Sequence, residues 1–123
     1  MIMSGAAGGS LGSPRVTVSS ARDRAISAYL IVRDPVVGRS VTRLVAGESL
    51  ALGRAPTNGI VINDERASRL HAEIVPSGAG WSIRDLGSRN GTLVGGQQIT
   101  AERPLAPGDV IAIGLTEVTY CEG

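Results

Sequence analysis

His71-Ala72-Glu73-Ile74-Val75-Pro76-Ser77-Gly78-Ala79-Gly80-Trp81-Ser82-Ile83-Arg84-Asp85 reads as a β-hairpin. Successive side chains of a strand point to opposite faces, so Ala72 and Ile74 on one arm, and Trp81 and Ile83 on the other, are directed toward a common core. Ser77-Gly78-Ala79-Gly80 supplies the small, turn-forming residues that close the hairpin. The same texture of short apolar or alternating runs, broken by Gly, Pro, Asn and Asp, extends in both directions. Further strands are predicted at Ser27–Arg33, Ser40–Val45, Ser49–Gly53, Ile60–Ile62, Thr92–Val94, Gln97–Ile99, Asp109–Gly114 and Glu117–Cys121, with the hairpin arms at His71–Val75 and Trp81–Asp85. Gly38, Gly47 and Gly108 are read as turns. No segment holds a helical period for three turns, and the spacing of the strands fits an all-β sandwich.

Upstream of Ser27 the texture changes. Residues 1–24 are rich in Gly, Ser and Ala and poor in large apolar side chains, so burial cannot offset the entropy of ordering them. They are expected to form a flexible tail, with one folded domain over residues 25–123. The 123 residues suit a single domain, and 42% hydrophobic and 19% charged residues exclude both a membrane-spanning chain and a compositionally disordered one. Residues Met1 to Gly9 lack the basic and apolar stretches of a leader peptide, and no apolar run reaches membrane-spanning length, so the protein is expected to stay inside the cell. Cys121 is the only cysteine, which excludes an intramolecular disulfide or a cysteine-based metal cluster and points to a cytoplasmic setting.

A net charge of +1 gives no overall field for nucleic acid or an anionic membrane, so any anion site must be assembled locally. All twelve basic residues are Arg. Genomic base composition accounts for such a bias as readily as function does, yet each Arg brings a planar fork suited to carboxylate or phosphate oxygens. Three loops combine Arg, Ser or Asn with tight-turn residues: those around Arg54, Ser68 and Asn90. Stacking aromatics are nearly absent, with Tyr29, Trp81 and Tyr120 the whole supply, which argues further against nucleic acid.

In order, the chain carries Gly53-Arg54, Ile62-Asn63-Asp64, Ser68-Arg69-Leu70-His71, Asp85-Leu86-Gly87-Ser88-Arg89-Asn90-Gly91-Thr92 and Leu105-Ala106-Pro107-Gly108-Asp109-Val110-Ile111. From about Ala28 to Tyr120 this resembles the forkhead-associated (FHA) family. The resemblance implies a β-sandwich of two antiparallel-rich sheets with peptide-binding loops at one end, acting as a phosphothreonine-binding adaptor in Ser/Thr kinase signalling. A phosphorylated side chain brings nearly two negative charges and three strong acceptor oxygens, so its receptor needs donors converging from separate loops. By resemblance Arg54 and Ser68 bind phosphate oxygens with help from Arg69 and Arg89, and Asn90 holds the peptide backbone just after the phosphothreonine. Arg66 faces the peptide's third following residue, where it would favour an acid unless it pairs with Asp64 or Glu65. Ser88 is a second candidate for peptide specificity. Gly53, His71 and Gly91 are implied as structural support, His71 by ordering the Ser68 loop. Gly95-Gly96 departs from the Asn-Gly common in the family, a change that bears on peptide preference.

Taken singly, these residues have simpler readings: Arg54 as a solvated side chain, Ser68 as a turn cap, Asn90 as a turn residue chosen with Gly91. An enzyme would need Ser68 as nucleophile, His71 as base and Asp64 or Asp85 to orient it, but no Gly-flanked nucleophile elbow is present. No catalytic residue, metal or cofactor is therefore expected. A scaffold that uses the same loops without phosphate is the stronger rival. The implied partner is a phosphothreonine-containing protein, a Ser/Thr kinase or its substrate, and the domain itself is expected to be monomeric. Thr17 is the only threonine in the tail. From there to Ala25 the chain reaches at most about 27 Å, against a sandwich on the order of 30 Å long with its termini at the end opposite the loops. A phosphorylated Thr17 is thus expected to bridge two molecules rather than fill its own domain's site.

Overall fold

The structure, a computed structural model, describes residues 27–123. The expected tail over residues 1–24 and the expectation for Thr17 lie outside the described residues. Within them every regular element is a strand: β1 (Ala28–Asp34), β2 (Gly38–Arg43), β3 (Leu50–Gly53), β4 (Ile60–Val61), β5 (Ala72–Ser77), β6 (Gly80–Asp85), β7 (Leu93–Val94), β8 (Gln97–Gln98), β9 (Arg103–Pro104), β10 (Val110–Ile113) and β11 (Thr116–Glu122). They form two sheets, one ordered β9-β6-β5-β3-β4 and the other β2-β1-β11-β10-β7-β8. All pairings are antiparallel except β3 with β4. The all-β sandwich expected from the strand spacing is the fold observed.

Alternation builds the core. Ala28, Leu30 and Val32 of β1, Ile111 and Ile113 of β10, and Val118 and Tyr120 of β11 face inward from one sheet. Leu52, Ala72, Ile74, Trp81 and Ile83 meet them from the other. The hairpin over residues 71–85 forms as the sequence indicates, with Ser77 opposite Gly80 and Ile74 opposite Ile83. Ser82, on the face pointing away from the core, is nevertheless buried, because its cross-strand neighbours Val75 and Pro104 share that face and cover it.

Most strand ends lie within one or two residues of expectation, and two differences have a clear physical cause. β2 begins at Gly38, two residues earlier than predicted, because Asp34 Oδ1 accepts the N–H groups of Val36 and Val37 and closes the turn tightly. β9 is the strand missed in the sequence: two residues, one of them Pro, carry no alternation. Its Arg103 Nη1 donates to Val94 O across the sandwich at 3.1 Å.

The strand directions decide where the loops gather. β1, β3 and β10 all end at the pole where Arg54, the β4–β5 loop and the β10–β11 turn meet. There Leu115 N donates to Asp64 Oδ2 at 2.9 Å. Ser27 and Gly123 lie at the opposite pole, joined by a hydrogen bond from Gly123 N to Ser27 O at 2.9 Å.

Candidate functional site

The β3–β4 and β4–β5 loops are laced together through three consecutive carbonyls. Arg54 Nε donates to Ala67 O at 3.1 Å, Arg54 N to Ser68 O at 2.9 Å and Ala55 N to Arg69 O at 3.1 Å. Gly53 permits this approach: a Cβ there would fall onto the carbonyl of Arg69 and within 2.9 Å of Asn58 Nδ2. Arg54 is exposed, and with Nε held its Nη groups remain as donors for a ligand. The backbone of the Arg is therefore fixed by the sheet and its fork by the neighbouring loop, which lowers the freedom lost on binding.

Buried His71 joins the β4–β5 loop to the β6–β7 loop. Ser68 N donates to His71 Nδ1 at 2.9 Å, which leaves the ring proton on Nε2, and Nε2 donates to Gly91 O at 2.8 Å. Ser68 Oγ in turn accepts the N–H of Arg89 at 3.0 Å, so its own hydroxyl proton is available to an incoming acceptor. That bond also takes up the backbone N–H of Arg89, leaving the exposed guanidinium as the group this residue can offer. Asn90 Nδ2 donates to Arg66 O at 2.9 Å, tying the same two loops a third time. The structure thus gathers Arg54, Ser68, Arg69, Arg89 and Asn90 at one pole, with Gly53, His71 and Gly91 directly behind them.

The remaining candidates have internal partners. Arg66 Nε pairs with Asp64 Oδ1 at 2.9 Å, one of the two arrangements the sequence left open. Ser88 Oγ donates to Asp85 Oδ1 at 2.5 Å and accepts Gly91 N at 2.8 Å, so its hydroxyl is occupied within the β6–β7 loop.

Three residues of this framework were not among the site residues expected from the sequence. Asp85 accepts Ser88 N at 2.8 Å and Thr92 Oγ1 at 2.7 Å in addition to the Ser88 hydroxyl, and so shapes the whole β6–β7 loop. Burial pushes its carboxyl up, but the donors from Ser88 and Thr92 outweigh this and hold it below the ordinary carboxylate range. Asp64 accepts the backbone N–H groups of Leu115 and Arg66, which together with the Arg66 side chain bring its pKa to about 2 despite partial desolvation. Both aspartates show a local signal, an Asp followed two or three residues later by a backbone N–H it can cap. Asn58 shows none. It is buried, and its Nδ2 donates to Ala55 O at 2.8 Å and Arg69 O at 2.7 Å, spanning the two loops beneath Arg54.

Among the described residues no cluster of His, Cys, Asp and Glu is arranged to hold a metal, and no helix is long and apolar enough to cross a membrane. What the fold and the site define together is a β-sandwich whose one pole presents a loop-borne, arginine-rich anion receptor.

The chain belongs to the FHA domain family, whose model matches residues 50–114. It is 42% identical over 86 residues to an ABC transporter ATP-binding/permease protein of Mycobacterium tuberculosis, a match covering 70% of this chain and 10% of that protein. It is 32% identical over 106 residues to the FHA domain-containing protein FhaB of Mycobacterium tuberculosis, covering 85% of this chain and 67% of FhaB. Among solved structures, an FHA domain studied for phosphothreonine-dependent interactions superposes with a TM-score of 0.68 at 34% identity, covering 77% of this chain and 95% of that one.

Proposed function

We infer that the loop pole binds phosphothreonine in a partner protein, and that the domain serves as an adaptor in Ser/Thr kinase signalling in the cytoplasm. The observation that carries this is the convergence of Arg54, Ser68 and Arg89 from three different loops onto one exposed pole, held by His71 and by the β3–β4 to β4–β5 lacing. Arg54 and Arg89 supply charge, the Ser68 hydroxyl supplies a directional donor, and Arg69 adds a further guanidinium at the rim. Asn90, with its amide nitrogen bonded to Arg66 O, keeps its carbonyl for the N–H of the residue after the phosphothreonine. The strands that present this pole span residues 28–122.

The arrangement does not favour hydrolysis. Both nitrogens of His71 are engaged with backbone groups, and Ser68 Oγ meets the N–H of Arg89 rather than the imidazole, so no base stands ready to take the hydroxyl proton. Titration calorimetry with matched phosphothreonine, phosphoserine and unphosphorylated peptides tests the proposal. Binding of the phosphothreonine form with negligible binding of the unphosphorylated form is expected. A phosphoserine peptide should bind several-fold more weakly, since burying one methyl contributes about 0.8 kcal/mol. Equal binding of phosphorylated and unphosphorylated peptides would favour the phosphate-independent scaffold instead.

A further inference from the structure

One side of the sandwich is open. β2 ends the six-stranded sheet and β4 ends the five-stranded one, and between these two edges runs a groove of about 160 Å³ lined by Val37, Ser40, Thr42, Gly59, Val61 and Asn63 among others. At Asn63 it meets a second groove, of about 460 Å³, whose walls include Val36, Asp64, Arg66 and Leu115. Arg66 is the residue whose carbonyl holds Asn90, so the two grooves form one path from the phosphate-receiving loops down the flank. Large apolar side chains stand along it in water: Val36 is 88% exposed, Val37 75% and Leu115 58%.

The backbone of β4 adds a directional feature. In a parallel ladder alternate residues bond to a given neighbour. Ile62 N donates to Gly53 O at 2.8 Å, and the register pairs Leu52 with Ile60 and Gly53 with Val61. Ile60 and Ile62 therefore bond to β3, and the N–H and C=O of Val61 point away from it, into the groove's open side. An exposed edge of this kind is a template for another extended chain.

We propose that this flank is a second binding surface for the same phosphorylated partner: the segment C-terminal to its phosphothreonine continues past Arg66 and Asn63 and lies in extended form along β4, with alternate apolar side chains against Val37 and Val61. The proposal rests on the phosphothreonine reading of the loop pole and adds to it what the partner needs beyond the phosphorylated residue. From Asn63 back to Gly59 the path is about 13 Å at the rise of a strand, so a few residues fill it.

The experiment compares, on the full chain, a short phosphothreonine peptide with the same peptide continued at its C-terminus by Val-Thr-Val-Thr-Val-Thr. Extension should tighten binding about tenfold, the order left when burial of two valine-sized side chains is set against the ordering of the segment. The gain should vanish in V61P, which deletes the outward N–H where an edge strand tolerates proline, in V37D, and when the extension is N-methylated at alternate residues. Binding of the short peptide should be unchanged in both variants. A short peptide that binds while its extension brings no gain, or a gain that survives both variants and N-methylation, overturns the proposal alone. Failure of the short peptide to bind sinks the phosphothreonine reading and this one with it.

Discussion

Arg54 combines an exposed guanidinium with two constraints, its N–H on Ser68 O and its Nε on Ala67 O. Truncating one member of a hydrogen-bonded charge pair costs about 2–5 kcal/mol of binding. R54A is accordingly expected to lose phosphopeptide affinity by that amount in calorimetry, with little change in Tm. Gly53 makes the opposite prediction. A methyl there meets the backbone carbonyl of Arg69, which cannot move without opening the loop lacing. G53A should destabilise the fold by about 1–3 kcal/mol in urea unfolding and weaken peptide binding with it. An unchanged midpoint would show that the two loops are not held as tightly as the hydrogen bonds indicate.

Among the elements, the β4–β5 loop is fastened to the β10–β11 turn through Asp64, which accepts Leu115 N, while the same carboxylate holds Arg66 N and Nε. Its pKa lies near 2, below the ordinary value of about 4. A depressed carboxylate contributes stability that is present above the unfolded-state pKa and is lost as pH falls through the folded-state value. D64N is therefore expected to lower Tm by several degrees near neutrality, with the difference from the parent shrinking between about pH 4 and pH 2. Circular dichroism melts across that range test it; a difference constant down to pH 2 would mean that the ionised carboxylate is not what holds the turn. The hairpin over residues 71–85 was legible because both its strands alternate and its turn residues are distinctive. β9 was not, since Arg103 and Pro104 are placed by pairing with Ser82 and Ile83, partners far off in sequence.

For the whole molecule, a net charge of +1 means that affinity for an anion rests on local donors rather than on a long-range field. A phosphate whose second pKa is about 6 loses a charge as pH falls through that value. Phosphopeptide affinity should consequently decline several-fold from about pH 7 to about pH 5. A rise over the same range would mean that a proton gained by the site, with His71 as the only histidine, adds a phosphate contact that the present arrangement does not supply.

Local pattern alone determined that the chain is an all-β sandwich with its arginine-rich loops separated by strands, because period-two alternation and turn residues act over neighbouring positions. That Arg54, Ser68, Arg69, Arg89 and Asn90 lie on loops between strands was also legible, because turn residues flank each of the motifs that carry them. Only the tertiary structure decided how these groups are held. Asp85 and Ser88 close the β6–β7 loop on itself, Asn58 works from beneath the site, and Arg66 is paired with Asp64. It also revealed the open flank between β2 and β4. Hydrogen-bond partners across loops, and the edges a sheet leaves unpaired, depend on which strands become neighbours in space, and no local window of sequence contains that information.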